Sequence, residues 1–243
     1  MTRIVGVVQA RMGSSRLPGK VLRPLAGRSV LSRVVRAAQD SAVLVDLVVA
    51  TSTDQVDDAV AAECERLGVA CHRGPVDDVL GRFIGALERH PGDAVMRFTA
   101  DCPLLDPEII TLVANVYRAV PGLDYASTSI ARTLPRGLDV EIIRADTLRT
   151  LDRLATDHHR VHVTSYAYTH PELFRVLGVT LTPDRSALRL TLDTEEDWAL
   201  VRAVTDHFGD VAVPMAKLVD WLDGRPALRA INAEVRQKSL EES

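Results

Sequence analysis

The chain alternates short runs of β-branched and leucine residues with longer stretches in which apolar residues recur every third or fourth position. The runs at Ile4 to Gln9, Leu44 to Thr51, Val69 to His72 and Ala94 to Thr99 are apolar almost throughout, as expected of strands covered on both faces. Between them, Val30 to Gln39 follows a candidate N-cap at Ser29, Val56 to Leu67 follows Asp54, and Asp78 to Arg89 keeps the same helical spacing. Asp106-Pro107-Glu108 supplies an N-cap and a first-turn proline for a helix to about Ala119. This β-α repetition predicts an α/β fold with a mostly parallel sheet flanked by helices.

After Pro121 the alternation loosens. Extended segments at Asp124 to Ser127 and Leu138 to Ile143 flank a Pro-Arg-Gly turn at Pro135 to Gly137, so about 124–174 reads as a small inserted lobe. Val176 to Leu181 and Leu188 to Leu192 read as strands, Glu195 to Phe208 as a helix, and Pro214 to Arg236 as a helical stretch. No Ser/Gly linker or internal repeat interrupts the chain, which predicts one domain over 1–238 and a disordered tail at 239–243.

Composition narrows the function. With 243 residues, 47% of them hydrophobic, the chain can bury a core without disulfides or structural metal. A formal net charge of −4 provides no broad positive field for nucleic acid. The most apolar stretch, Ala42 to Ala50, is broken by Asp46 and falls far short of the roughly 20 residues a bilayer span needs. The opening residues lack the pattern of a signal peptide, so a cytoplasmic protein is expected. Cys64, Cys71 and Cys102 show neither zinc-knuckle nor redox-pair spacing. Cys102, next to Asp101, is weighed as a nucleophile against the ordinary reading of a near-core thiol.

The densest chemistry follows the first strand, in QARMGSSRLPGKVL at Gln9 to Leu22. Gly13 and Gly19 permit close backbone approach to an anion, Ser14 and Ser15 offer donors, and Arg11, Arg16 and Lys20 supply cations. The loop is not a Walker A sequence, because five residues separate Gly13 from Gly19 and Val21 stands where Ser or Thr would hold magnesium. A polyphosphate cradle is the functional reading; a solvated basic turn is the alternative.

These residues resemble the cytidylyltransferases that activate sugar acids, including the synthetases of CMP-sialic acid and CMP-Kdo. The shared pattern is matched by Ala10-Arg11, Gly13-Ser14-Ser15 and Arg16-Leu17-Pro18-Gly19-Lys20. The runs VATSTD, RGPVDDVLGRF, RFTADCPLLDPEII and GLDVEII are similar in order to the branch typified by spore-coat polysaccharide biosynthesis protein F. Where that branch usually reads Arg-Glu-His-Val, this chain has Arg160-Val161-His162-Val163. The resemblance implies a Rossmann-related nucleotide-sugar-transferase fold, CTP as donor, dependence on Mg2+, and often a homodimer. It also implies nucleotide contacts from Ala10 to Ser15, Lys20, Arg73, Gly74 and Ala100, with Met12 inside the loop.

Asp101 and Asp193 each follow an expected strand, and open α/β sheets bind ligands at those ends. Two carboxylates there suit magnesium, and the resemblance assigns both as metal ligands. Alternatively Asp193 is the N-cap of the helix from Glu195, Asp101 a turn residue, and Asp197 a capping or orienting group. The segment PRGLDVE resembles the acceptor-facing part of the family, which implies acceptor roles for Arg136, Asp139 and Glu141, and for His162 and Tyr166 further on. His158 and His162 share a helical face but lack a third ligand for zinc, and Asp139 and Glu141 equally fit the polar face of a half-buried strand.

A nucleotidyltransferase acting on a small anionic acceptor uses all of these parts, with Arg11, Arg16, Lys20 and Asp101 as its catalytic groups. A glycosyltransferase on a similar fold would instead place Asp-x-Asp where this chain reads Thr99-Ala100-Asp101-Cys102. A catalytically silent nucleotide-binding protein would have no need of Lys20, Asp101 and Asp193 together.

Overall fold

In the computed structural model, which describes residues 2–237, the apolar runs lie side by side in one sheet. β1 (Ile4–Gln9) is followed by a small hairpin, β2 (Pro24–Leu25) and β3 (Arg28–Ser29), then α1 (Val30–Asp40), β4 (Asp46–Ser52), α2 (Asp58–Leu67) and β5 (Ala70–Gly74). Next come α3 (Val79–Arg89), β6 (Ala94–Thr99), α4 (Pro107–Ala119), β7 (Tyr125–Ser127), β8 (Glu141–Arg144) and α5 (Ala145–Leu154). Two short turns, α6 (His158–Val161) and α7 (Ser165–Thr169), lead to β9 (Val176–Gly178), α8 (Glu195–Phe208), α9 (Met215–Asp223) and α10 (Pro226–Ala230).

The sheet order is β5-β4-β1-β6-β8-β7-β9, and β8 alone opposes its neighbours. β1 sits between β4 and β6, with Val8 level with Val49 and Phe98. Alternation along β1 feeds two cores. Ile4 and Val8 pack with Leu31 and Val34 of α1, Ile110 of α4 and Leu200 of α8; Val5 and Val7 pack with Leu80 and Phe83 of α3 and Leu148 of α5. Each such fully buried side chain contributes about 1.5–3 kcal/mol, so the two cores hold the strand ends rigidly. Helix starts follow the expected chemistry: Ser29 Oγ accepts from Ser32 N, Asp78 Oδ1 from Gly81 N, and Asp106 Oδ1 from Glu108 N.

Three expectations change. Leu188 to Leu192 is not a strand of the sheet; it is extended chain with a single bridge to Arg136, because its partners are the 135–138 turn and the main chain of Asp101. Helix α5 stands where no helix was expected. The stretch from Pro214 breaks at Gly224 into α9 and α10. Within 124–174, β7 and β8 join the main sheet, and α5 packs on the face carrying α3. The 239–243 tail lies outside the described residues. Among the described residues no helix is long and apolar enough to cross a membrane.

Candidate active site

Beyond β1 the chain doubles back at the carboxyl ends of the parallel strands. Gly19 N donates to Met12 O at 3.0 Å and Leu17 N to Ser14 Oγ at 3.3 Å. Gly19 has φ +68°, a left-handed conformation that costs glycine little. Leu17 is anchored in the interior, and Met12 N donates to Asp57 Oδ1 at 2.6 Å. The loop so held presents Gly13, Ser14 and Ser15 to a cleft of about 370 Å³.

Lys20 lies at the floor of that cleft, only 8% exposed. Its Nζ donates to Asp101 Oδ2, Asp193 Oδ1 and the carbonyl of Leu192, each at 2.7 Å. Burial works against the ammonium charge, but Asp101 and Asp193 outweigh it and hold the Lys20 pKa above its ordinary value. Burial likewise works against the Asp101 carboxylate, and Lys20 reverses the balance, holding its pKa below the usual one. Asp193 Oδ2 meets Arg16 at 3.1 Å and Arg189 at 2.8 Å.

The helix cap is not Asp193. Thr194 is the N-cap of α8 and forms a capping box with Asp197, whose buried carboxylate also accepts from Asp193 N and grips Arg189 through two nitrogens. Asp193 is therefore left to face the cleft. Two carboxylates and a carbonyl converge on the Lys20 ammonium, and carboxylate oxygens are hard donors of the kind magnesium takes. Among the described residues no group of three or more His, Cys, Asp or Glu could hold a metal unaided, so further ligands would have to come from phosphate and water.

Ala100, Arg136, Asp139 and His162 also line the cleft, beside Arg11 and Arg16. The guanidinium groups of Arg11 and Arg136 make no hydrogen bond or ion pair among the described residues. Burial, followed by the nearby Arg132 charge, depresses the Arg136 pKa. Asp139 accepts from Gly137 N at 3.3 Å and pairs with Arg132.

Other expected site residues stand outside the cleft lining. Ala10 is buried, with its N donating to Ala50 O, and Met12 serves the loop's anchorage. Arg73 donates to Ser52 O and Asp54 O and pairs with Asp58 at 2.6 Å, while Gly74 packs against the Arg82 side chain. Glu141 lies beneath the cleft, bound by Arg97, Tyr125 and Thr164. Tyr166 stacks on His170 at 3.9 Å. Both carboxylate oxygens of Glu141 are engaged, so it supports the cleft wall through Arg97, which the sequence reading missed.

Cys102 is buried beside Thr99 and Thr191, and burial pushes its thiol well above the ordinary value, which disfavours the reactive thiolate. Arg189 was also missed. Its alternation with Leu188, Leu190 and Leu192 places it on the Asp193 side, a period-two signal present in the sequence.

A sheet of this order with a cationic loop and paired carboxylates at its carboxyl ends defines a nucleotide-binding transferase. A family model described as Cytidylyltransferase matches residues 5–209, and the chain belongs to that family. It is similar to the spore coat polysaccharide biosynthesis protein SpsF of Bacillus subtilis, 34% identical over 93% of this chain and 96% of that protein. It is also similar to the 3-deoxy-manno-octulosonate cytidylyltransferase of Maricaulis maris, 36% identical over 53% of this chain and 49% of that protein. The solved structure of a cytidylyltransferase from Leptospira borgpetersenii superposes with a TM-score of 0.91 at 26% identity, covering 98% of this chain and all of that one.

Proposed function

We propose that the protein transfers CMP from CTP to a small anionic acceptor, a sugar acid or a phosphate or phosphonate, with release of pyrophosphate and with magnesium as the supporting ion. An acceptor oxygen bonds to the α-phosphorus as the bond to the β-phosphate oxygen breaks, and pyrophosphate carries away the electron pair; where that oxygen belongs to a hydroxyl, its proton passes to solvent or to the departing pyrophosphate.

The observation that carries this reading is the division of labour among the cleft's cations. Lys20, Arg16 and Arg189 are matched by Asp101, Asp193 and Asp197, whereas the guanidinium groups of Arg11 on the loop and Arg136 across the cleft make no hydrogen bond or ion pair among the described residues. Arg11, with the backbone of Gly13 to Ser15, suits a triphosphate; Arg136 suits the acceptor's anionic group, where a guanidinium fork can bind two oxygens. Because the remaining charges cancel, a triphosphate entering here needs an added cation. Asp101 and Asp193 would hold magnesium, which when bound neutralises phosphate charge. Lys20 holds both carboxylates in place and adds positive charge at the cleft floor, and the loop fixes the nucleotide against the strand ends. The chemistry is chiefly positioning and charge neutralisation.

The test is pyrophosphate release measured over the four ribonucleoside triphosphates crossed with a panel of nonulosonic acids, other sugar acids, phosphonates and sugar phosphates, with and without magnesium. CTP is expected to dominate. Equal turnover of UTP would overturn the cytidylyl assignment, and full activity in chelator would overturn the metal.

A further inference from the structure

The segment after α10 lies beyond the residues matched by the family model, yet it reaches back into the cleft. Asn232, 3% exposed, donates from Nδ2 to Asp197 Oδ1 at 2.8 Å and to the Arg189 carbonyl at 3.0 Å. Gln237 lines the cleft, and its Oε1 accepts from Arg189 Nη1 at 2.7 Å. The Arg236 carbonyl accepts from Arg16 Nη1 at 3.3 Å. Both arginines that meet Asp193 Oδ2 are thus held from behind by one stretch of chain.

Taking the proposed reaction as given, we infer that Asn232 and Gln237 are positioning residues that hold Arg189 so that it fixes the Asp193 carboxylate at the reaction centre. Arg189 bonds Asp197 through Nε and Nη2, Asp193 through Nη2 and Gln237 through Nη1. Asn232 secures the other two ends of this network, the Asp197 carboxylate and the Arg189 main chain. Without these ties Nη1 loses its acceptor and the Asp197 carboxylate loses its second anchor, so the guanidinium can shift together with Asp197 and its single bond to Asp193 is no longer held at a set distance. Hydrogen bonds to charged groups are the stronger kind, so their loss is felt at the group they orient. Neither residue needs to touch the acceptor for this role.

The experiment compares the native protein with Gln237→Ala, Asn232→Ala, the double variant, and Gln237→Glu, which restores an acceptor to Arg189. Pyrophosphate release at saturating CTP should fall about 10-fold in the double variant, measured well below its own Tm, with the KM for CTP changed less than about twofold. Gln237→Glu should recover most of what Gln237→Ala loses. A crystal structure of the double variant should show Arg189 Nη2 withdrawn from Asp193 Oδ2. Native turnover in the double variant, or Gln237→Glu no better than Gln237→Ala, would overturn the inference. If the native protein itself releases no pyrophosphate from CTP, the proposed reaction fails, and the crystal structure still decides this point: an Arg189 contact unchanged at 2.8 Å overturns it.

Discussion

Lys20 illustrates how one side chain's setting changes the meaning of a motif. The sequence places it at the end of a phosphate-like loop; the fold carries it inward until its ammonium satisfies Asp101, Asp193 and a carbonyl at once. Replacing it with Ala removes the cation at the cleft floor and leaves two half-buried carboxylates without their shared partner. Pyrophosphate release should fall by roughly 10²–10³, the usual cost of losing one electrostatic contact to a developing charge. An unchanged rate at saturating CTP would remove Lys20 from the mechanism. The loop's glycine, serine and cation spacing made it legible. Arg97 and the engagement of Glu141 were not, because both depend on β6 and β8 being neighbours, a pairing between residues 44 apart in the chain.

The start of α8 separates structure from chemistry within four residues. Thr194 and Asp197 form the cap, so Thr194→Ala should lower stability by about 1 kcal/mol and leave turnover within a few-fold. Asp193→Asn keeps the shape but loses the charge facing Lys20, Arg16 and Arg189, and should lower the rate by about 10²-fold. Melting and pyrophosphate release measured on both variants distinguish the two roles; full activity of Asp193→Asn would show that its charge is dispensable. A second element-level constraint lies at Gly137, whose φ is +101° and whose added Cβ would sit 2.5 Å from the main chain of Leu190 and Thr191. Gly137→Ala should push the extended Arg189 stretch away from Asp101, costing about 1–3 kcal/mol and most activity. A native melting curve would contradict that reading of the turn. The strands of the parallel half were readable from their unbroken apolar runs. The Leu188 to Leu192 stretch shows the same alternation but pairs with a loop, and α5 was hidden because its apolar face, carrying Leu148 and Leu151, is narrow within a polar stretch.

Across the whole chain the charges nearly balance, and they balance again within the ionic cluster at the cleft floor, where Lys20, Arg16 and Arg189 meet Asp101, Asp193 and Asp197. That neutrality lets a partly buried ionic cluster persist beside two apolar cores, and it links the site to the acid stability of the fold. Asp101 has its pKa depressed below the usual 3.8, with Lys20 overcoming the opposing effect of burial. Its contribution is therefore complete above that usual value and is lost as pH falls through the depressed one. Lys20, raised above 10.5, behaves in the opposite sense: its contribution is complete below that value and is lost only as pH rises through the higher one. Between these limits the pair is constant. The Tm of the native protein should exceed that of Lys20→Met by a fixed margin from about pH 5 to about pH 8, and the margin should shrink as the solution is brought to about pH 3. In the variant Asp101 no longer has the ammonium to keep it ionised, so acid removes less from it. A margin that stays constant down to about pH 3 would mean that the Lys20 contact with Asp101 does not couple to folding, and that the cluster serves the ligand alone.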